Sequence, residues 1–262
     1  MPELPEVETF KRYLDKTSLN QTIKNTKVID DRVLNIDESY LKKSVINNKF
    51  ESSTRHGKYL LVNIGKNYLI FHFGMTGDLE YYNNKDHEPK YSKVIFHFNN
   101  GFNLAYISRR MFGRLDITES IEEFVEKKNL GTDAYKMNFE EFKEALKRRT
   151  GIIKNLLLNQ SFIAGIGNIY SDEILFKTKL HPKIKIDSLN ESKVIELYNN
   201  IKEVLQVGID KKGDLSTYPS HFLIPYRKKD EYCPICNSGI ERIEISGRHG
   251  FYCPNCQKES NS

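Results

Sequence analysis

The stretch CPICNSGIERIEISGRHGFYCPNC spans residues 233–256 and contains all four cysteines of the chain. They form two C-x2-C pairs, Cys233 with Cys236 and Cys253 with Cys256, and sixteen residues separate the pairs. Four thiolates at this spacing suit the tetrahedral coordination of one zinc ion. The alternative is two disulfides, which suit an oxidising compartment better than the cytosol. We predict one structural Zn²⁺ held by the four cysteines.

The residues between the two cysteine pairs indicate a β-hairpin. Ile240, Ile243 and Ile245 precede a Ser246-Gly247 turn, and Arg248 follows it at the predicted tip. Zinc ribbons of this kind are often purely structural. The metal site by itself therefore does not indicate catalysis.

Apolar residues recur at helical spacing upstream of the cysteines. The four predicted helices are EEFKEALKRR (140–149), IIKNLLL (152–158), NIYSDEILFK (168–177) and ESKVIELYNNIKEVLQVGI (191–209).

The N-terminal part of the chain has a different pattern. A predicted helix near residues 5–14 is followed by apolar residues that recur with the period of β-strands. KYLLVNI (58–64), NYLIFHF (67–73) and KVIFHF (93–98) are examples, and Asn100-Gly101 after the third is a hairpin signal. We predict a two-domain α+β protein. It has an N-terminal β-sandwich with a leading helix (1–125), a linker (126–140), a helical domain (141–228) and a four-cysteine zinc finger (229–262).

The composition is that of a globular protein, with 39% hydrophobic and 29% charged residues among 262. The N-terminus lacks the apolar run of a signal peptide, so a cytoplasmic location without membrane association is expected. The net charge of +5 is modest. However, residues 141–185 carry nine Lys or Arg against four Asp or Glu, so the whole surplus lies in one segment. A basic segment suggests nucleic-acid binding, although it can also be an ordinary solvated face.

Within that basic segment, Gly165 and Gly167 precede a predicted helix that contains Glu173. Glycines before a helix let backbone N–H groups converge on an anion. A dinucleotide-binding loop is rejected, because a third glycine is missing and a helix, not a strand, precedes the loop. With Lys154 one helix earlier, a nucleic-acid phosphate is the better candidate ligand.

The N-terminus, MPELPE, offers a possible nucleophile. Pro2 is small enough for Met1 to be removed, which would leave a secondary amine at the start of the chain. An α-amino group has a pKa near 8, so part of it is neutral and nucleophilic at neutral pH. Glu3 could protonate a sugar ring oxygen, and Glu6 could support it or cap the helix. The plain alternative is an ordinary proline-rich helix start.

Taken together, the motifs resemble those of the formamidopyrimidine-DNA glycosylase and endonuclease VIII family, which excises oxidised bases. The N-terminal motif is closer to the formamidopyrimidine branch. The resemblance implies that residues 1–125 form the catalytic β-sandwich domain and residues 141–228 a helix–two-turn–helix DNA-binding domain. The resemblance covers the chain from end to end, and the motifs are MPELPEVET (1–9), HGKYLL (56–61), HFGMTGDL (72–79), RRMFG (109–113), LGTDA (130–134), GIGNIYSDE (165–173) and GRHGFYCPNCQK (247–258).

The resemblance implies a role for each matching residue. Pro2 would be the Schiff-base nucleophile and Glu3 the general acid. Lys58 would contact phosphate and assist β-elimination, and Arg248 would grip the phosphates beside the lesion and assist δ-elimination. Glu6 and Glu173 would support the active site. Lys93, Lys154 and Asn168 would contact DNA phosphates, and Lys93 takes the place of a family histidine.

Met75, Arg110 and Phe112 resemble the trio that enters the duplex when the damaged nucleotide is extruded. A side chain that fills the void recovers part of the free energy of unstacking. The alternative for Met75 and Phe112 is packing in a hydrophobic core.

The implied function is base-excision repair: removal of an oxidised base, then abasic-site lyase activity through β- and δ-elimination. The implied partner is double-stranded DNA with oxidised bases or abasic sites, bound by a monomer in the bacterial nucleoid. The stretch 211–232 is shorter than in usual 8-oxoguanine enzymes, so the preferred lesion is left open. Two alternatives are a non-catalytic damaged-DNA-binding protein of the same fold and a zinc-ribbon protein that binds other proteins.

Overall fold

The computed structural model describes residues 1–83 and 85–259, which form two compact units, residues 1–128 and 129–262. Within the described residues, no helix combines the length and apolar character needed to span a bilayer. The two units are described separately below.

The described residues of the first unit contain three α-helices and eight strands. They are α1 (Leu4–Thr17), β1 (Ile23–Val28), α2 (Glu38–Val45), β2 (Ser52–His56), β3 (Tyr59–Asn63), β4 (Tyr68–His72), β5 (Gly77–Asn83), β6 (Ser92–Phe98), β7 (Phe102–Ser108), β8 (Arg114–Thr118) and α3 (Ile121–Lys127).

The strands of the first unit form two antiparallel four-stranded sheets, ordered β1-β6-β7-β5 and β2-β3-β4-β8. Their apolar faces meet in one core, where Phe71 of β4 packs edge-on against Phe96 of β6 and Tyr106 of β7. The predicted β-sandwich is confirmed, and so is the hairpin at Asn100-Gly101, which joins β6 to β7. The leading helix is longer than the predicted residues 5–14, because Glu3 caps its start and the Ser18 N–H closes its last turn on the Leu14 carbonyl.

Up to residue 259, where the description ends, the second unit contains four α-helices, two short parallel strands and a hairpin. They are β9 (Thr132–Asp133), α4 (Phe139–Lys147), α5 (Ile153–Leu158), β10 (Ile163–Ala164), α6 (Asn168–Lys177), α7 (Glu191–Asp210), β11 (Glu241–Ile245) and β12 (Arg248–Tyr252). All four predicted helices are present, and α5, two turns and α6 form a helix–two-turn–helix arrangement.

Helix α6 lies at the centre of the second unit. Its residues from Tyr170 to Phe176 are buried on every side of the helix. Three of them, Ser171, Asp172 and Glu173, are polar, so each must find a partner inside the protein. The partners of Asp172 and Glu173 connect α6 both to α5, which precedes it, and to the segment around residues 223–227, which follows it.

Candidate active site and DNA interface

The start of the chain is fixed to the first turn of α1 by a capping box. The backbone N–H of Glu3 donates to Glu6 Oε2 at 2.8 Å, and the Glu3 side chain accepts from the backbone of Glu6. Glu3 is almost fully buried, Pro2 is half-buried and Met1 is exposed. The capping box therefore holds the residue next to Pro2 in place while Met1 stays accessible to removal.

Lys58 occupies the two-residue turn between β2 and β3 and is largely buried. The other turn residue, Gly57, has a φ of 56°, which a glycine adopts without strain. Buried Arg55 holds this turn to α1, because its Nε donates to Glu8 Oε2 at 3.1 Å and its Nη1 to the Gly57 carbonyl at 3.3 Å. Arg55 thus links the helix that begins beside Pro2 to the turn that carries Lys58.

His72 lies at the end of β4, among cations. Burial, together with the charges of Lys58, Lys128 and Arg114, lowers the pKa of His72 to about 4. The imidazole is therefore neutral at neutral pH, and the surrounding positive potential attracts an anion such as a phosphate. Sequence reasoning did not select His72, although it begins the HFGMTGDL motif.

The turn that carries Met75 packs directly on the turn that carries Arg110 and Phe112. A Cβ added at Gly74 would lie 2.3 Å from the Phe112 carbonyl carbon. The Arg110 N–H also donates to Thr76 Oγ1 at 3.1 Å. Only a residue without a side chain permits so close an approach between the two backbones.

Both turns present their predicted DNA-contacting side chains to solvent. Met75 is 39% exposed, Phe112 is 51% exposed, and the Arg110 guanidinium lies 5.4 Å from the centre of the Phe112 ring. Met111, between Arg110 and Phe112, packs instead against the sandwich core. Core packing is therefore excluded for Met75 and Phe112. Lys93 lies elsewhere, on β6, with its ammonium 3.8 Å from Asp30 Oδ2.

In the second unit, Asn168 begins α6 and contacts the zinc hairpin. Its Nδ2 donates to the His249 carbonyl at 2.7 Å. Lys154 of α5 is fully buried, and its ammonium forms an ion pair with Asp172. The predicted phosphate ligand Lys154 thus has a buried carboxylate as its neighbour.

Glu173 is fully buried and joins α6 to the segment before the zinc ribbon. Its carboxylate accepts the N–H of Leu223 at 3.1 Å and that of Ile224 at 2.7 Å. Burial raises the pKa of Glu173 to about 7, against the opposing effects of these two donors and of the Lys177 and Arg227 charges. Glu173 therefore attaches residues 223 and 224 of the stretch 211–232 to α6.

The four cysteine sulfurs form a site that fits zinc. They lie within 4.8 Å of one another, with Cys233 and Cys256 3.8 Å apart and Cys236 and Cys253 3.5 Å apart. Tetrahedral Zn–S bonds of about 2.3 Å place sulfurs about 3.8 Å apart, whereas a disulfide needs about 2.0 Å. The predicted zinc site with four cysteine ligands is confirmed, and the two-disulfide alternative is wrong.

Arg248 is the first residue of β12 and is exposed at the end of the hairpin. The turn before it has φ angles of 50° at Ser246 and 71° at Gly247, as a tight two-residue hairpin requires. Sequence reasoning missed Asp172 and Arg227, which bind each other beneath this hairpin. Adjacent acids in a helix, as in NIYSDE, normally indicate a solvated surface, so no local signal marked Asp172 as buried.

Known proteins match this chain over nearly its whole length. Residues 1–115 match the formamidopyrimidine-DNA glycosylase N-terminal domain, residues 130–220 the corresponding H2TH domain, and residues 230–258 the zinc finger found in FPG and IleRS. The formamidopyrimidine-DNA glycosylase of Pelotomaculum thermopropionicum is 35% identical over 275 residues, covering 98% of this chain and 99% of the relative.

Two solved complexes of the Lactococcus lactis Fpg protein have the same fold. One contains FAPY-dG DNA (TM-score 0.89) and the other abasic-site DNA (TM-score 0.88). Each is 31% identical to this chain and covers 98% of it and 100% of the solved chain. With three domain matches in order and relatives aligned from end to end, the chain belongs to the formamidopyrimidine-DNA glycosylase family.

Proposed function

We propose that Pro2, exposed by removal of Met1, is the nucleophile with which this base-excision-repair glycosylase and abasic-site lyase acts on oxidised nucleotides in duplex DNA. The observation that carries the proposal is the capping box at Glu3 and Glu6, which fixes a buried carboxyl group beside Pro2. Relatives solved with abasic-site and FAPY-dG DNA support the substrate class.

The first chemical step forms a bond between the Pro2 nitrogen and C1′ of the damaged nucleotide. The bond from C1′ to the base breaks, and the base leaves with the proton that the amine loses. The nitrogen lone pair then opens the sugar ring, and Glu3 gives its proton to O4′. The products are the free base and an iminium ion between Pro2 and the opened sugar.

Two eliminations then cleave the strand. Loss of a C2′ proton expels the 3′ phosphate, and loss of a C4′ proton expels the 5′ phosphate. Lys58 would hold phosphate during β-elimination, which suits its position in the electropositive surroundings of His72. Arg248 would hold the phosphates during δ-elimination, which suits its exposed position on the zinc hairpin.

The two turns that carry Met75 and Phe112 in the first unit would deform the DNA. Met75, Arg110 and Phe112 would enter the duplex together, because the contact between Gly74 and Phe112 holds both turns at one place. Phe112 would wedge between bases, Arg110 would bond to the orphaned partner base, and Met75 would fill space. Lys93 and Asn168 would contact backbone phosphates.

Each segment of the chain would have its own role in the reaction. Residues 1–125 would carry the nucleophile and the intercalating turns, residues 126–140 would link the domains, and residues 141–228 and 229–262 would bind the DNA backbone. The protein would act as a monomer in the bacterial nucleoid.

Borohydride trapping tests the proposal. Met1-processed protein is incubated with a duplex containing an abasic site or an oxidised base, and borohydride reduces any iminium to a stable adduct. We expect an adduct with both duplexes, reduced with Pro2→Gly, which retains a primary amine, and lost when Met1 is retained. Undiminished trapping in the Met1-retaining protein would contradict the role of Pro2. Lesion binding without any adduct would favour the non-catalytic damaged-DNA-binding protein.

A further inference from the structure

A cluster of buried charges lies where α5 and α6 meet the zinc hairpin. At its centre is the fully buried carboxylate of Asp172. Its Oδ1 accepts a hydrogen bond from Lys154 Nζ. Its Oδ2 accepts two from Arg227, from Nε at 3.1 Å and from Nη2 at 2.6 Å. One anion thus binds two cations away from solvent.

The same carboxylate also binds the hairpin backbone. The N–H of Phe251 in β12 donates to Asp172 Oδ2 at 3.0 Å. Phe251 lies three residues after Arg248, on the same short strand. The charge cluster is therefore attached directly to the strand that presents Arg248.

Other contacts hold the hairpin on both sides of Arg248. Ser246 Oγ hydrogen-bonds Asn155 Oδ1 at 3.0 Å, and the His249 carbonyl accepts from Asn168 at 2.7 Å. Gly250 lies so close to the cluster that an added Cβ would be 2.1 Å from Lys154 Nζ and 2.7 Å from Asp172 Oδ1. Arg248 itself remains exposed between these fixed neighbours.

Apolar packing also holds the base of the zinc ribbon, and the Phe251 side chain contributes to it. Ile240, Cys233 and Cys253 pack with Phe176 and Leu223 in an apolar cluster. The charge cluster instead contacts the middle of β12, at Gly250 and Phe251, between the tip of the hairpin and the Cys253 ligand. Buried ion pairs contribute little net stability compared with apolar packing, and in some proteins they specify one geometry. The location of the cluster therefore indicates that it orients the hairpin and is not needed to fold the ribbon.

We infer that Asp172 is a positioning residue for Arg248: with Lys154 and Arg227 it fixes the orientation in which the hairpin presents Arg248 to the DNA phosphates. The inference rests on the proposed role of Arg248 in δ-elimination. It also gives Lys154 a role that it performs through Asp172 and not by touching DNA.

The test compares Asp172→Asn with Asp210→Asn in full-length, zinc-loaded, Met1-processed protein. Asp210 is the matched control, because it is exposed and hydrogen-bonds Gln206. On a duplex with a preformed abasic site, we expect Asp172→Asn to lower the ratio of δ- to β-elimination products about tenfold or more, since a small misplacement of a catalytic group has effects of this size. Borohydride trapping through Pro2 should stay near the wild-type level. Asp210→Asn should match the wild type in both measurements.

A second variant leaves all charges in place, in case Asp172→Asn does not fold. Gly250→Ala directs a methyl group at Lys154 Nζ, whereas Gly239→Ala in the same ribbon meets no atom within 4 Å among the described residues. We expect the loss of δ-elimination in Gly250→Ala alone, with bound zinc retained by both variants.

A double-mutant cycle separates positioning from a general structural effect. If Asp172 acts through Arg248, Asp172→Asn and Gly250→Ala should have no further effect on the product ratio in an Arg248→Ala background. A wild-type ratio in Gly250→Ala, or an equal loss with and without Arg248, would overturn the inference. Absence of any wild-type adduct would instead count against the proposed function.

Discussion

Replacement of Gly74 by alanine should disturb the two turns that carry Met75 and Phe112, which are proposed to enter the duplex. Gly74 has a φ of 57°, and an added Cβ would lie 2.3 Å from the Phe112 carbonyl carbon and 2.5 Å from the Gly113 nitrogen. These are backbone atoms, so no side-chain rotation can relieve the clash. The two turns must separate, or the strain must remain.

The expected loss has two contributions. Placing alanine in the left-handed region costs about 1 kcal/mol, and overpacking a tight contact costs about 1–3 kcal/mol. The free energy of unfolding should therefore fall by about 2–4 kcal/mol. For a unit of this size, that corresponds to a melting temperature about 8–16 °C lower.

Gly101→Ala is the matched control in the same unit. Gly101 has a φ of 83°, and no described atom lies within 4 Å of its added Cβ. Gly101→Ala therefore places a side chain in the left-handed region without a clash. We expect its free energy of unfolding to fall by about 1 kcal/mol. Thermal unfolding followed by circular dichroism gives both values, and base excision from a lesion duplex reports on the turns. Equal losses of stability in the two variants, with unchanged excision by Gly74→Ala, would refute the packing of the two turns.

Three further predictions concern the zinc, a buried acid and the wedge. Metal analysis should find one zinc per chain, and chelation should abolish δ-elimination while leaving the first unit folded; a fully active metal-free protein would contradict this. The pKa of Glu173 is about 7 in the folded protein and 4.5 ordinarily, so the folded state keeps a proton that the unfolded chain releases. The bound proton stabilises the folded state fully below pH 4.5. This stabilisation decreases by about 1.4 kcal/mol per pH unit as the pH rises from 4.5 to 7, and it is absent at higher pH. In denaturant titrations at several pH values, the free energy of unfolding of Glu173→Gln should lack this dependence on pH. An identical pH dependence in wild type and variant would show that another group causes it. Phe112→Ala should lower excision from duplex DNA about tenfold and leave adduct formation with a single-stranded abasic site unchanged; equal effects on both substrates would argue against a wedge.

Local signals predicted much of this protein. Alternating apolar residues marked β3, β4 and β6, Asn100-Gly101 marked a hairpin, and the spacing of four cysteines marked a zinc site. Each of these signals lies within a few residues of the structure it specifies. Helix α2 was not predicted, because its eight residues bury only Leu41 and Val45 and give a weak periodic pattern.

Long-range packing was not predictable in the same way. Lys154 lies in the most basic segment of the chain, which suggests a surface that binds phosphate, yet the fold encloses it opposite Asp172. The close approach of Gly74 to Phe112 joins turns almost forty residues apart in the sequence. Family resemblance identified the side chains on these turns, but only tertiary structure shows that they form one surface.

The identity of the atom bonded to DNA is the central claim, and peptide mapping of the borohydride-trapped adduct tests it most directly. Mass spectrometry of the intact protein first establishes whether the mature chain begins at Pro2. Digestion of the adduct should then place the reduced sugar on the peptide that begins at Pro2, attached to its nitrogen. An adduct on a lysine side chain, or trapping by a protein that still carries Met1, would contradict the assignment of Pro2 as nucleophile.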